Sequence, residues 1–143
     1  MIAYADTGFL VSLYGQDDHS AEATALIRSK PVFILTPLGE AEFTNAIQLR
    51  VFRKDWTRRE ARSVQEVFLQ HQADGVFRTE QMGPEIWEKA LVLSRRHSAK
   101  LGARTLDILH VATALFVRPD VFYSFDSRQR GLARAEQLRI LPA

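Results

Sequence analysis

The sequence predicts a three-layer α/β/α sandwich with a mostly parallel central sheet, formed by one domain over residues 1–143. Three observations carry this. Short apolar runs alternate along the chain with segments of helical period, the order that gives βα units. The runs are continuously apolar rather than alternating, as strands covered on both faces are. No repeat, low-complexity stretch or Pro/Gly/Ser-rich linker divides the 143 residues, a length that buries a sizeable core unaided.

The elements follow in order. Ile2–Ala5 is a first strand, and a short helix from Gly8 to Tyr14 comes next. Asp18 or Ser20 is placed to cap a second helix, whose buried face is Ala21, Ala23, Leu26 and Ile27. Pro31 stops it. Val32–Thr36 is a second strand, and Ala41, Phe43, Ala46, Ile47 and Leu49 give Leu38–Phe52 a helical face. Thr57 and Glu60 form a capping box for a helix with Ala61, Val64, Val67 and Phe68 inside. Val76–Arg78 is a short edge strand. Pro84 opens a helix that Gly102 closes. Leu106–Val117 is apolar almost all round, the mark of a buried helix. Val121–Phe125 is a strand, Ser127–Ala135 a basic helix and Leu138–Leu141 a last strand.

Composition narrows the function. Apolar residues make up 46% of the chain and charged residues 25%, as in globular proteins. No apolar run approaches the ~18 residues of a membrane span, and the opening MIAYADTGFL lacks the basic start of a signal peptide; a cytoplasmic protein is expected. Cysteine is absent, which excludes disulfides, thiolate nucleophiles and Cys-bound zinc. Any metal site must use Asp, Glu or His and so favours hard ions. There is no G-x-S-x-G elbow, G-x-G-x-x-G turn, Walker loop or H-x-x-x-H pair.

The net charge of +2 conceals an asymmetry. Residues 1–49 hold two bases against six acids, and residues 50–143 hold seventeen bases against eleven acids. Two stretches are locally basic: Arg50, Arg53, Lys54, Arg58, Arg59, Arg62, and then Arg95, Arg96, Lys100, Arg104. Such stretches are solvated helix faces or, where other features agree, contacts to a polyanion.

The acids supply the other feature. Asp6 and Asp126 follow the ends of strands, where doubly wound sheets place their sites; each is also placed to cap the next helix. Asp107 commits a charge to the first turn of the most apolar helix. Complementation of the helix dipole behind a Thr105 cap would account for it alone. A buried carboxylate is costly unless paired or metal-bound. Acids converging at one sheet edge repel one another unless a divalent cation lies between them, and a partly hydrated oxygen site completed by phosphate suits Mg²⁺. Together with basic surroundings, this reads as a metal-dependent nuclease. Glu40 and Glu42 both lie just after the second strand and compete for the fourth position.

These residues resemble the PIN-domain family, and within it the VapC-like toxin ribonucleases of prokaryotic toxin–antitoxin pairs. Ile2-Ala3-Tyr4-Ala5-Asp6-Thr7 is similar to the family's first strand, first acid and hydroxyl residue. Glu42-Phe43-Thr44-Asn45 resembles its E-x-x-N helix start, which favours Glu42 over Glu40. Asp107-Ile108-Leu109-His110-Val111-Ala112-Thr113-Ala114 resembles its D-x-L-H-x-A-T-A signature, the most specific of the four. Ser124-Phe125-Asp126 resembles its T/S-x-D segment. The chain departs from the pattern at Gly8, where Ser or Asn is common, and at Phe125, where a small residue is.

The resemblance implies an endoribonuclease using Mg²⁺ or Mn²⁺, with Asp6, Asp107 and Asp126 on the metal and Glu42 bound directly or through water. Thr7 and Ser124 would orient the acids, Asn45 would support Glu42, and Arg104 would contact phosphate. His110 reads first as a satisfied core histidine and second as a donor to a site carboxylate. A homodimer, and a cognate antitoxin that inserts a side chain into the acidic site, are also implied. Two other readings stay open: a non-cleaving RNA- or protein-binding module of the same fold, and a phosphohydrolase acting on small esters.

Overall fold

A computed structural model describes residues 1–143. Five parallel strands form the central sheet: β1 (Ile2–Ala5), β2 (Val32–Leu35), β3 (Phe77–Thr79), β4 (Val121–Tyr123) and β5 (Ile140–Leu141), in the order β3-β2-β1-β4-β5. Every pairing is parallel, so the expected mostly parallel sheet is wholly so. The helices are α1 (Thr7–Tyr14), α2 (Ser20–Leu26), α3 (Pro37–Phe52), α4 (Arg58–Ala73), α5 (Pro84–Leu93), α6 (Ala99–Leu101), α7 (Thr105–Val117) and α8 (Ser127–Ala135). None is long and apolar enough to cross a membrane.

Strand side chains alternate between two cores, because successive residues of a strand point to opposite faces. Ala3, Ala5, Phe33, Leu35 and Tyr123 pack with α1 to α4 through Phe9, Phe43, Ile47 and Phe68. Tyr4, Ile34 and Phe122 pack on the other face with α5, α7 and α8 through Ile86, Leu93, Ile108, Val111 and Leu132. Seven of the 16 buried residues of the first core are aromatic, against two of the 13 in the second.

Most elements lie where the sequence places them, and the differences have local causes. Strand β2 ends one residue early because Thr36 caps the helix that follows, its Oγ1 accepting from Gly39 N–H; β4 ends at Tyr123, two residues before the expected end. Neither Asp18 nor Ser20 caps α2. Asp17 makes the local turn, accepting from His19 N–H at 2.9 Å, and the Ser20 hydroxyl accepts from Asp17 N–H. The Thr57–Glu60 capping box is present. The edge strand is shifted by one residue. The helical stretch from Pro84 runs to Leu101 as expected, with a π-helical turn at Ser94–Ser98 between α5 and α6, and Gly102 closes it with φ +64°. Arg104 rather than Thr105 stands at the N-cap of α7. Gly15 is fixed by packing, since a Cβ there would lie 2.3 Å from the Trp56 ring.

β1 pairs with β2 on one side and β4 on the other, and the chain leaves β1 toward β2 and returns to β4. That change of direction opens a crevice beyond the carboxyl ends of β1 and β4.

Candidate acidic active site

The crevice is a cleft of about 470 Å³ lined almost entirely by polar side chains. Asp6 enters it directly from β1, Glu42 from the second turn of α3, Asp107 from the first turn of α7 and Asp126 from the end of the β4 segment. Four acids separated by up to 120 positions in sequence thus share one cavity. Glu42, not Glu40, faces it; Glu40 is exposed elsewhere on α3.

Asp6 is buried. One carboxylate oxygen accepts from Phe9 N–H at 2.8 Å, capping α1, and the other accepts from the Ser124 hydroxyl. Burial pushes its carboxyl above the usual carboxylate range; the Ser124 and Phe9 bonds and the nearby His110 offset part of this, while Asp126 adds to it.

Glu42 Oε1 accepts from Thr7 Oγ1 at 3.0 Å and from His110 Nε2. A carboxylate only accepts, so Nε2 carries a proton; on the other side of the ring, Nδ1 pairs with the Tyr4 hydroxyl, 2.7 Å away. Tyr4 keeps its proton: burial, then the charges of Glu42 and Asp6, raise the phenol far above its ordinary value. His110 therefore satisfies both sequence readings, being buried in the core and bonded to a cleft carboxylate. Glu42 Oε2 has no bond to the protein and is left for the cleft.

Asp107 and Asp126 share an arginine. Arg104 N–H and Nε–H both bond Asp107 Oδ2 at 3.1 Å, and Nη2 bonds Oδ1 at 3.3 Å. The same Nη2 lies 3.5 Å from Asp126 Oδ2. The bond and charge of Asp107 push the guanidinium pKa up against a small desolvation effect, and the charges of Asp126 and Glu42 add to this. Asp126 Oδ1 caps α8 through Arg128 and Gln129 N–H, so capping and cleft lining coexist in Asp126 as in Asp6. Arg104 contacts carboxylates here.

Asn45 is exposed on α3 and outside the cleft lining. Other lining residues carried no motif. Asp17 is a fifth acid, held by Ser12 at 2.9 Å and by Arg50 at 3.5 Å. His19, Phe125 and Gln129 complete the wall, and the buried Gln129 Nε2 has no hydrogen-bond partner. Burial of residues dispersed in sequence was the missing signal; only the loop pattern Asp17-x-x-Ser20 hinted at a built turn.

The donors are all hard oxygens, the chemistry of Mg²⁺ or Mn²⁺ sites. As they stand, no three acids or histidines converge closely enough to hold an ion. Arg104 lies across Asp107 and Asp126 and supplies one positive charge where a divalent metal would bring two. The donor chemistry fits a hard divalent ion, and Arg104, whose side chain is 58% exposed, is bonded to two of the donors.

The chain matches the PIN domain family over residues 3–135. Its fold is similar to that of Mycobacterium tuberculosis VapC20, described as a toxin that cleaves the sarcin–ricin loop (TM-score 0.69, 22% identity, covering 95% of each chain). It is similar to a chain of VapBC2 from Rickettsia felis, solved with a fragment of promoter DNA (TM-score 0.66, 14% identity, covering 98% of this chain and 97% of that one). FitAcB from Neisseria gonorrhoeae gives a TM-score of 0.69 at 15% identity, covering 98% of this chain and 96% of that one. Among curated proteins, none matches it in sequence.

Proposed function

This chain belongs to the PIN domain family, and from that premise we propose that it is a metal-dependent endoribonuclease, the toxin of a type II toxin–antitoxin pair. The observation that carries the reading is the single cleft in which Asp6, Glu42, Asp107 and Asp126 meet beside Arg104 and Arg50. The similar Mycobacterium tuberculosis structure, a toxin that cleaves the sarcin–ricin loop, and a similar toxin–antitoxin complex from Klebsiella pneumoniae support it. A cognate antitoxin, a homodimer and a cytoplasmic setting belong to the same proposal.

Asp6, Asp107 and Asp126 would hold Mg²⁺ or Mn²⁺, with Glu42 ligating directly or through water. When bound, such an ion polarises a phosphoryl oxygen and activates a water for in-line attack. The chain's own residues prepare for that. Ser124 and the start of α1 fix the Asp6 carboxylate. Thr7 and His110 hold Glu42 by one oxygen and leave the other free. Arg104, released from the acids, is placed to bond a phosphate oxygen of the substrate, for which its planar fork is suited. Phosphodiester hydrolysis leaves a 5′-phosphate and a 3′-hydroxyl.

The test compares single-stranded RNA with a generic phosphate monoester, each with Mg²⁺ and with chelator. Cleavage of RNA that needs the ion and yields 5′-phosphate ends is the expected result. Turnover of the monoester alone would make the protein a small-ester phosphohydrolase. RNA binding without cleavage under any metal would make it a binding module.

A further inference from the structure

An aromatic column runs from the core into the cleft. Tyr123 and Phe9 stack with ring centroids 4.8 Å apart and planes 20° from parallel. Phe9 stacks on Phe125 at 5.2 Å and 22°, and Phe125 on His19 at 4.3 Å and 13°. Exposure grows along the column: Tyr123 and Phe9 are buried, Phe125 is half-buried and His19 is exposed.

The His19 ring makes no side-chain hydrogen bond. Its position is set instead by its backbone, whose N–H bonds Asp17 Oδ1 at 2.9 Å, and whose C=O accepts from Ala23 N–H at 2.9 Å as α2 begins. One face of the ring is covered by Phe125, so its exposure comes from the opposite face and the edges. Both outer rings line the acidic cleft, and Phe125 immediately precedes Asp126. A flat, pre-positioned aromatic surface with a free face thus stands at the rim of the carboxylate site.

We propose that His19, backed by Phe125, is a stacking subsite for one unpaired nucleobase of the RNA whose phosphate enters the cleft. The proposal rests on the reading of the cleft as an RNA-cleaving site. An aromatic face accepts any of the four bases, because each has a π-face, and is sequence-tolerant for that reason. A base inside a duplex has both faces covered by its neighbours and cannot use the surface. The subsite therefore selects single-stranded or looped RNA. Ordering is small, because the ring is already held flat on Phe125 before RNA arrives. The unpartnered Gln129 Nε2 in the same lining offers one donor to an acceptor on the bound strand.

The experiment measures binding of a short single-stranded RNA carrying one 2-aminopurine, scanned along the strand, in chelator so that no metal-dependent cleavage occurs. An abasic ribose-phosphate oligomer of equal length serves as the second probe. With wild-type protein, 2-aminopurine fluorescence is expected to be quenched at one position. His19→Ala is expected to abolish that quenching and to weaken RNA binding about tenfold, within the range for one base on an aromatic ring, while leaving the abasic oligomer unaffected. His19→Trp is expected to restore both signals, and a melting scan confirms that each variant is folded. Equal RNA affinity in wild type and His19→Ala would overturn the subsite while leaving the nuclease reading intact. Equal losses for both probes would also overturn it, since His19 would then act on the backbone. If His19→Ala weakened only the complex with a protein partner, the column would be a protein contact and the proposal would fall. No RNA binding by wild type at all would overturn the RNA reading and this subsite with it.

Discussion

The two walls of the acidic cleft hold their carboxylates in different ways. On one wall, Asp6 and Glu42 are bonded by groups that are themselves buried or half-buried: the Ser124 and Thr7 hydroxyls and the His110 ring, which leans on Tyr4. On the other, Asp107 and Asp126 share one exposed arginine, whose single charge offsets one of their two. The first wall is rigid, because moving any member leaves a buried polar group unpaired. The second is adjustable, because an exposed ion pair contributes little and its cation can leave. Under the proposed function the site admits a metal ion and a phosphate, which would use both: fixed ligands to define the geometry, and a removable positive charge that offsets part of the repulsion among the acids.

The largest expected effect treats the walls alike. Asp6→Asn and Asp126→Asn should each lower RNA cleavage by orders of magnitude, with circular dichroism unchanged, since the amide is nearly isosteric and still caps the helix. Glu42→Gln should cost far more activity than Glu40→Gln. The reverse ranking would break the assignment of Glu42 to the rigid wall.

Stability separates the walls next. His110→Ala removes a buried ring and leaves the Tyr4 hydroxyl unpaired, which should cost about 2–4 kcal/mol in urea unfolding. Arg104→Ala should cost under about 1 kcal/mol, yet make Mg²⁺ bind more tightly in calorimetry, because the competing cation is gone. Weaker Mg²⁺ binding by Arg104→Ala would mean that the arginine supports the metal site rather than fills it.

A pH series sharpens the contrast within the rigid wall. The Asp6 carboxyl is raised in the folded protein by burial, so folding favours its protonated form. The stability this group gives is complete below its ordinary value of 3.8 and is lost as pH rises through the raised folded value. Asp6→Asn lacks that loss. Its advantage in melting temperature over wild type should therefore grow across that window and stay constant above it. An advantage that shrank with rising pH would contradict the raised value.

The smallest effect lies outside both walls. Arg53, Arg58, Arg59 and Arg62 are exposed on the α3–α4 hairpin, whereas Arg50 is engaged by Asp17 and the Trp56 ring. If the exposed four meet RNA backbone, removing a pair should flatten the salt dependence of binding by about 0.7 per lost phosphate contact. An unchanged slope would make them a solvated face.

The sequence made the sheet and the acids legible for a physical reason. Strands buried on both faces leave continuous apolar runs, and an acid placed directly after such a run, as at Asp6 and Asp126, announces itself. Asp107 stood out because nothing else in its helix is charged. What stayed hidden depends on contacts between distant elements. No local pattern shows that His110 spans Tyr4 and Glu42, or that Arg104 lies across two acids instead of facing solvent. The aromatic column is hidden for the same reason: Phe9, His19 and Phe125 lie on three separate segments. The π-helical turn at Ser94–Ser98 escaped because Pro84 and Gly102 mark only the ends of that helical stretch.

The proposed function requires the four carboxylates to act as one metal-dependent centre. The direct measurement is the rate of single-stranded RNA cleavage across a Mg²⁺ titration, for wild type and Asp107→Asn purified side by side. Wild type should be inactive in chelator and rise to saturation with Mg²⁺, while Asp107→Asn, equally folded, stays orders of magnitude slower at every concentration. Cleavage by wild type in chelator, or by Asp107→Asn at the wild-type rate, would contradict the claim.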